Sequence, residues 1–176
     1  YKTKKLLYKV DNLAPGISSN IRGGYYSSFP SVEIDLSKNY LVYTMFNTLK
    51  SEFKTVIVNL KNNKTTHVLK GHENIVMDAL LLPKTNIVVT SSLDGTVKFW
   101  DIISGKLLYT IMFSKNNNWL VKLANSKYYM CSKNASKMMH YVTPNLNIIG
   151  FDQLDPIYNR PDIVLDSIGK YLAYKN

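Results

Sequence analysis

Cysteine is nearly absent from these 176 residues, with Cys131 standing alone. No disulfide can close within the chain, and nothing in it calls for an oxidising compartment. Long hydrophobic runs are missing too. No uninterrupted apolar stretch reaches the roughly twenty residues that a membrane-crossing helix needs, so no membrane span is expected. The chain starts at Tyr1 with neither an initiator methionine nor a signal-peptide pattern, although a removed leader would leave no mark to read. A cytoplasmic setting is the expectation that fits these absences. Acidic residues are scarce, 12 against 22 Lys and Arg, leaving a net charge of +10.

That positive excess invites a polyanion, because nucleic-acid binding draws much of its affinity from Lys and Arg neutralising phosphates. Lys2, Lys4, Lys5 and Lys9 crowd the start, and Tyr8, Tyr25 and Tyr26 are candidate stacking groups. Elsewhere Lys38, Lys50, Lys61, Lys64, Lys84 and Lys106 fall singly at turns and strand ends. Single lysines there serve solubility and protect sheet edges, so nucleic acid stands as the alternative partner and protein as the first. Two sequons, Asn63-Lys64-Thr65 and Asn134-Ala135-Ser136, are too short to carry weight in an Asn-rich chain.

What the sequence does contain is a repeat. Thr55-Val56-Ile57-Val58-Asn59-Leu60 returns forty-one residues later as Thr96-Val97-Lys98-Phe99-Trp100-Asp101. Asn39 to Thr44 likewise returns as Asn86 to Thr90. A period near forty residues signals the blades of a propeller, each made of four short strands. The first unit predicts strands near 30–36, 40–46, 53–60 and 64–69. The second predicts them near 74–81, 86–92, 95–101 and 106–113. Lys5-Leu6-Leu7-Tyr8 copies Lys106-Leu107-Leu108-Tyr109, so residues 1–10 read as the last strand of a preceding blade and 11–30 as a surface loop. The two glycines of Arg22-Gly23-Gly24-Tyr25-Tyr26 are too few for a phosphate cradle, and no cofactor is expected.

Gly71-His72 opens the second unit, Asp94-Gly95 supplies tight-turn chemistry, and Trp100-Asp101 closes its third strand. In that order and spacing the unit resembles a WD40 repeat. The resemblance implies that His72, Thr90, Asp94 and Trp100 form a hydrogen-bonded structural tetrad, with Gly71 and Asp101 completing the signature. A buried indole and a buried imidazole each need a partner, which makes such a network physically sensible. A metal or catalytic pair of His72 and Asp94 is the sharper alternative, but no further ligands stand at metal-site spacing. In the first unit Asn59 and Leu60 align with Trp100 and Asp101, so that blade is expected to rely on packing.

The remainder reads as an irregular blade over 114–150, built on 119–123, 127–131 and 137–142, followed by a tail over 151–176. Trp119, Tyr128-Tyr129 and above all Asn159-Arg160-Pro161-Asp162 resemble the end of the WD40 region in bacterial, Bacteroidetes-like proteins whose propeller precedes a caspase-like peptidase. That resemblance implies a peptidase domain beyond Asn176 and none of its catalytic residues within this segment. Cys131 and His140 invite a nucleophile–base reading, yet Cys131 lies in an apolar strand-like run that suits a small buried side chain. Pro161 to Leu172 predicts a short helix docked on the propeller's edge, with Ile163, Val164, Ile168 and Leu172 as its apolar stripe. Asp152, Asp155, Asp162 and Asp166 lack the pattern of a calcium loop and read as solvated or capping groups.

The expectation is thus an all-β chain, a partial WD40 β-propeller of about three four-stranded antiparallel blades with a short helical tail. Blades are placed at 31–70, 71–113 and 114–150. Its expected role is a non-enzymatic protein-interaction scaffold with no catalytic, cofactor or metal site. Three blades fall short of the four to eight that close a ring. Further blades then come from the same parent chain or from a partner, or only part of a longer protein is represented.

Overall fold

The computed structural model describes residues 31–47, 51–135 and 140–173. The readings of 1–10 and 11–30, with their lysines and tyrosines, lie outside these residues. The first sheet takes β1 (Val32–Asp35), β2 (Tyr40–Asn47), β3 (Glu52–Asn59) and β4 (Lys64–Leu69) in sequence order. The second opens with β5 (Val76–Leu81), β6 (Ile87–Ser92), β7 (Thr96–Asp101) and β8 (Leu107–Ser114), again antiparallel neighbours. Both meanders follow from β-branched and aromatic runs cut by turns whose residues accept positive φ, such as Asn39, Asn63, Gly95 and Gly105. These eight strands make the partial propeller the sequence predicts.

Residues 114–150 depart from that expectation, because the described residues among them build no four-stranded sheet of their own. β9 (Asn118–Leu123) and β10 (Tyr129–Cys131) extend the second sheet beyond β8, giving six strands. The cause is local. Ser114 pairs with Asn118 across a three-residue turn in which Asn116 and Asn117 have φ of 59° and 57°. Two successive left-handed residues fold the chain back as a hairpin, so β9 returns along β8 instead of crossing to a new blade. β11 (His140–Val142) and β12 (Ile148–Gly150) form a separate two-stranded pair.

The tail holds two helices where one was expected. α2 (Pro161–Leu172) starts at its N-terminal proline as predicted, and α1 (Phe151–Tyr158) precedes it. Pro156 inside α1 removes a backbone donor, which hides that helix from a pattern reading. Among the described residues no helix is long and apolar enough to cross a membrane.

The main core lies between the two sheets. Val42, Ile57 and Leu69 of the first meet Ala79, Leu81, Val88, Trp100 and Ile102 of the second. Fully burying side chains of this size stabilises by roughly 1.5–3 kcal/mol each. The first sheet is buried on its other face as well, through Leu41, Tyr43, Val56, Val58 and Leu60. Burial on both faces explains why β2 and β3 read as continuous apolar runs rather than alternating ones.

The backbone also corrects the alignment of the two units. Leu60 N–H donates to Asn39 O as Ile102 N–H donates to Asn86 O, each at 2.8 Å. Leu60 and Ile102 are therefore equivalent, forty-two residues apart rather than forty-one. A one-residue slip in a strand moves every side chain to the opposite face. Val58, not Asn59, stands at the position of Trp100, and Asn59 stands at that of Asp101.

Candidate functional site

The loop from β4 to β5 connects the outer strand of the first sheet to the inner strand of the second, and His72 sits at its start. Gly71 before it has φ of +143°, and a Cβ there would lie 3.4 Å from Trp100 Cη2. The glycine thus meets both a backbone and a packing requirement. The His72 imidazole is inserted beside Trp100, edge to face at 6.4 Å.

Around it the structure brings together the four residues of the expected set. Asp94, in the β6–β7 turn, has its Oδ2 2.9 Å from His72 Nδ1, and His72 Nε2 is 2.8 Å from Thr90 Oγ1. Trp100 Nε1–H donates to the same Thr90 oxygen at 2.8 Å. The proton order follows from the donors. An ionised carboxylate can only accept, so Nδ1 carries the imidazole proton. Nε2 then accepts from the Thr90 hydroxyl, whose oxygen accepts from the indole. Thr90 is 1% exposed and Trp100 4%, so this polar chain is satisfied out of reach of water.

Asp94 organises the turn as well. Its Oδ2 accepts Glu73 N–H at 2.9 Å, and its Oδ1 accepts Thr96 N–H at 2.9 Å and Thr96 Oγ1–H at 2.7 Å. Burial works to raise the carboxyl's pKa, but these bonds and the imidazole prevail and hold it down to about 2. His72 moves downward mainly because burial disfavours its charged form, with Asp94 opposing, so the imidazole is neutral at pH 7. Asp101 lies at the far end of β7, where its Oδ1 accepts Ser104 N–H at 2.6 Å and caps the β7–β8 turn.

Hydroxyl, imidazole and carboxylate in a row share the connectivity of a nucleophilic triad. The surroundings withhold that chemistry, since the Thr90 oxygen already accepts the indole proton and lies buried under Trp100. Cys131 and His140 fall on different sheets, β10 and β11, and His140 is exposed. Among the described residues no three His, Cys, Asp or Glu side chains gather as a metal site. Asp162 pairs with Arg160 and Asp166 with Lys170, as solvated groups should. Asp155 differs from the expectation, because it accepts the Tyr129 hydroxyl at 2.6 Å.

Two further contacts between the sheets escaped the sequence reading. Lys38, read as a solubilising turn residue, donates from Nζ to the carbonyls of Leu82 at 2.9 Å and Thr85 at 2.6 Å in the β5–β6 turn. His67 on β4 donates from Nε2 to Ile103 O at 2.8 Å. Its ring lies so close to Gly105 that a Cβ there would stand 2.6 Å from His67 Nδ1. A lysine or histidine beside a turn gives no sequence signal of a cross-sheet acceptor, because the acceptors are backbone carbonyls of the other sheet.

The chain carries a WD40 repeat: the family profile described as WD domain, G-beta repeat, matches residues 63–101. WD repeat-containing protein 75 of Homo sapiens is 39% identical over 62 residues, which is 35% of this chain and 8% of that protein. Ribosome biogenesis protein YTM1 of Scheffersomyces stipitis is 45% identical over 56 residues, 31% of this chain and 12% of that one. The chain therefore spans a small part of the curated relatives it matches. The crystal structure of the computationally designed Ika4 protein aligns at a TM-score of 0.39 and 23% identity, over 61% of this chain and 67% of that chain.

Proposed function

Starting from a chain that carries a WD40 repeat, we propose that it is a non-enzymatic protein-interaction module, one part of a larger WD40 scaffold. The observation that carries this reading is the buried chain Trp100–Thr90–His72–Asp94. It engages the polar groups most suited to chemistry in holding the connecting loop and the β6–β7 hairpin. His72, Thr90, Asp94 and Trp100 act as a structural tetrad, and Gly71 and Asp101 set the turns at either end of the unit. Such a network fixes one arrangement of the sheets, and a rigid platform with its turns outward suits the presentation of several surfaces to proteins. The partner is a protein ligand or further propeller blades.

At a finer level, the module is the regulatory region of a bacterial protein with a caspase-like peptidase domain. The run Asn159-Arg160-Pro161-Asp162, joined to β10 by the Arg160 N–H bond to Tyr129 O at 2.8 Å, supports this reading as the most specific point of resemblance. Affinity capture of the intact protein after mild cross-linking in its own cells, read by mass spectrometry at low and at high salt, tests the function. A defined protein partner retained at high salt is expected. Capture of nucleic acid alone, lost steeply as salt rises, would overturn the protein-interaction reading. The peptidase reading is tested separately, by sequencing the parent gene beyond Asn176.

A further inference from the structure

The second sheet has two faces, and they meet different things. Its Trp100 face packs on the first sheet, as described. On the opposite face Phe99, Tyr109, Ile111, Val121, Leu123 and Met130 form a comparably apolar surface. A stack of sheets would use that surface for its next member. Over β8, β9 and β10 it is covered instead by α2, with Val164 wholly buried and Ile168 packed beside it. Tyr171 lies parallel to Tyr109 with ring centroids 6.4 Å apart.

The same segment also holds the other two sides of β10. Along the free edge, Asn159 forms a parallel bridge with Tyr129, and Arg160 N–H donates to Tyr129 O at 2.8 Å. On the Trp100 face, the Tyr129 hydroxyl donates to Asp155 Oδ1 at 2.6 Å, and Tyr158 packs against Leu120 and Tyr129. Asn159 Nδ2 donates to Cys131 Sγ at 3.6 Å. Backbone edge and both faces of the outermost strand are thus gripped by two short helices and their joint.

We propose that α1 and α2 are a clasp that ends the sheet stack on this side, taking the edge and outer face that another strand or blade would need. An open edge strand is a template for pairing with another chain, and a three-residue strand such as β10 offers little protection of its own. With the clasp closed, the six-stranded sheet grows neither by strand addition at β10 nor by face packing over β8 to β10. Release of the clasp converts the same end into an adhesive one.

The test is the double substitution Val164→Asp and Ile168→Asp in the full-length chain, followed by amide hydrogen exchange and light scattering. Protection in β9 and β10 is expected to fall at least tenfold while β2, β3, β6 and β7 stay protected. The mass is expected to rise as opened ends pair. Unchanged protection of β9 and β10 around a freely exchanging α2 would overturn the proposal, and so would an opened end that stays monomeric. Should the double variant lose its fold, Asp155→Asn removes only the acceptor charge from the phenol. It is expected to speed exchange at Tyr129 to Cys131 about threefold, and no change there would also overturn the clasp.

Discussion

At equivalent places the first sheet carries Tyr43 and Val58 and the second carries Thr90 and Trp100. One pair puts the large ring on the second strand and the small side chain on the third, and the other pair reverses the sizes. Similar volume is filled either way, which is what a core tolerates best. The chemistry differs. Tyr43 and Val58 belong to an apolar cluster, whereas Thr90 and Trp100 begin a hydrogen-bonded chain that ends in a carboxylate. The comparison teaches that one blade geometry can be specified by packing or by a polar network, and that only the network leaves a signature in the sequence.

The largest test of that difference is Trp100→Ala against Val58→Ala. Loss of the indole should cost about 3–5 kcal/mol, since it empties a large volume and removes the donor to Thr90. Val58→Ala should cost about 2 kcal/mol, from two lost methyl groups and a small cavity. Denaturant unfolding of both variants checks this, and equal costs would mean that the network adds nothing to packing.

Next in size is Gly105→Ala, which forces a non-glycine residue to φ of +68° and drives a methyl into His67. A cost of about 1–3 kcal/mol is expected. Adding His67→Ala should recover the steric share but not the backbone share, so a double-mutant cycle separates the two. Lys38→Met should follow at about 1–2 kcal/mol, because two carbonyls of the neighbouring sheet lose a charged donor. A melting point unchanged by Lys38→Met would return that lysine to the role of a surface charge.

A pH series tests the network from another side. His72 has its folded pKa lowered below 6.5, so the unfolded chain binds the proton more readily. Its contribution to stability is present above pH 6.5 and is lost as pH falls from there through the folded value. Asp94, lowered from 3.8 to about 2, contributes stability above its unfolded value that is lost as pH falls from 3.8 toward 2. Stability should therefore decline in two steps, and Asp94→Asn should shrink the lower one, leaving the share of Asp35, whose pKa is also lowered, by its bond to Ser37. Melting curves from pH 7 down to below pH 2 measure both.

Much of this was legible because strands and turns are local. The eight strands of the two meanders follow from apolar runs and from asparagines and glycines suited to left-handed backbone. α2 was legible from Pro161 and its apolar spacing. The tetrad residues could be singled out because Gly71-His72, Asp94-Gly95 and Trp100-Asp101 stand in the order and spacing of the WD40 repeat they resemble, although their distances could not. The one-residue error between the units arose because Thr55 to Leu60 and Thr96 to Asp101 look alike at either shift, and only the pairing of Leu60 with Asn39 and Ile102 with Asn86 decides. The continuation of β8 into β9 was missed because Asn116-Asn117 serves equally well in a linker and a hairpin.

By itself the sequence determined where the eight strands of the two meanders lie, where the backbone turns between them, and which unit carries the polar signature, because these depend on neighbours in the chain. Tertiary structure alone decided that Lys38 and His67 bind the adjacent sheet, that Tyr129 finds Asp155, and that the tail grips the outer edge of the second sheet. Each of those contacts joins groups distant in the chain through backbone carbonyls, common polar side chains or ordinary apolar ones, whose identity says nothing about their partner until the elements are packed.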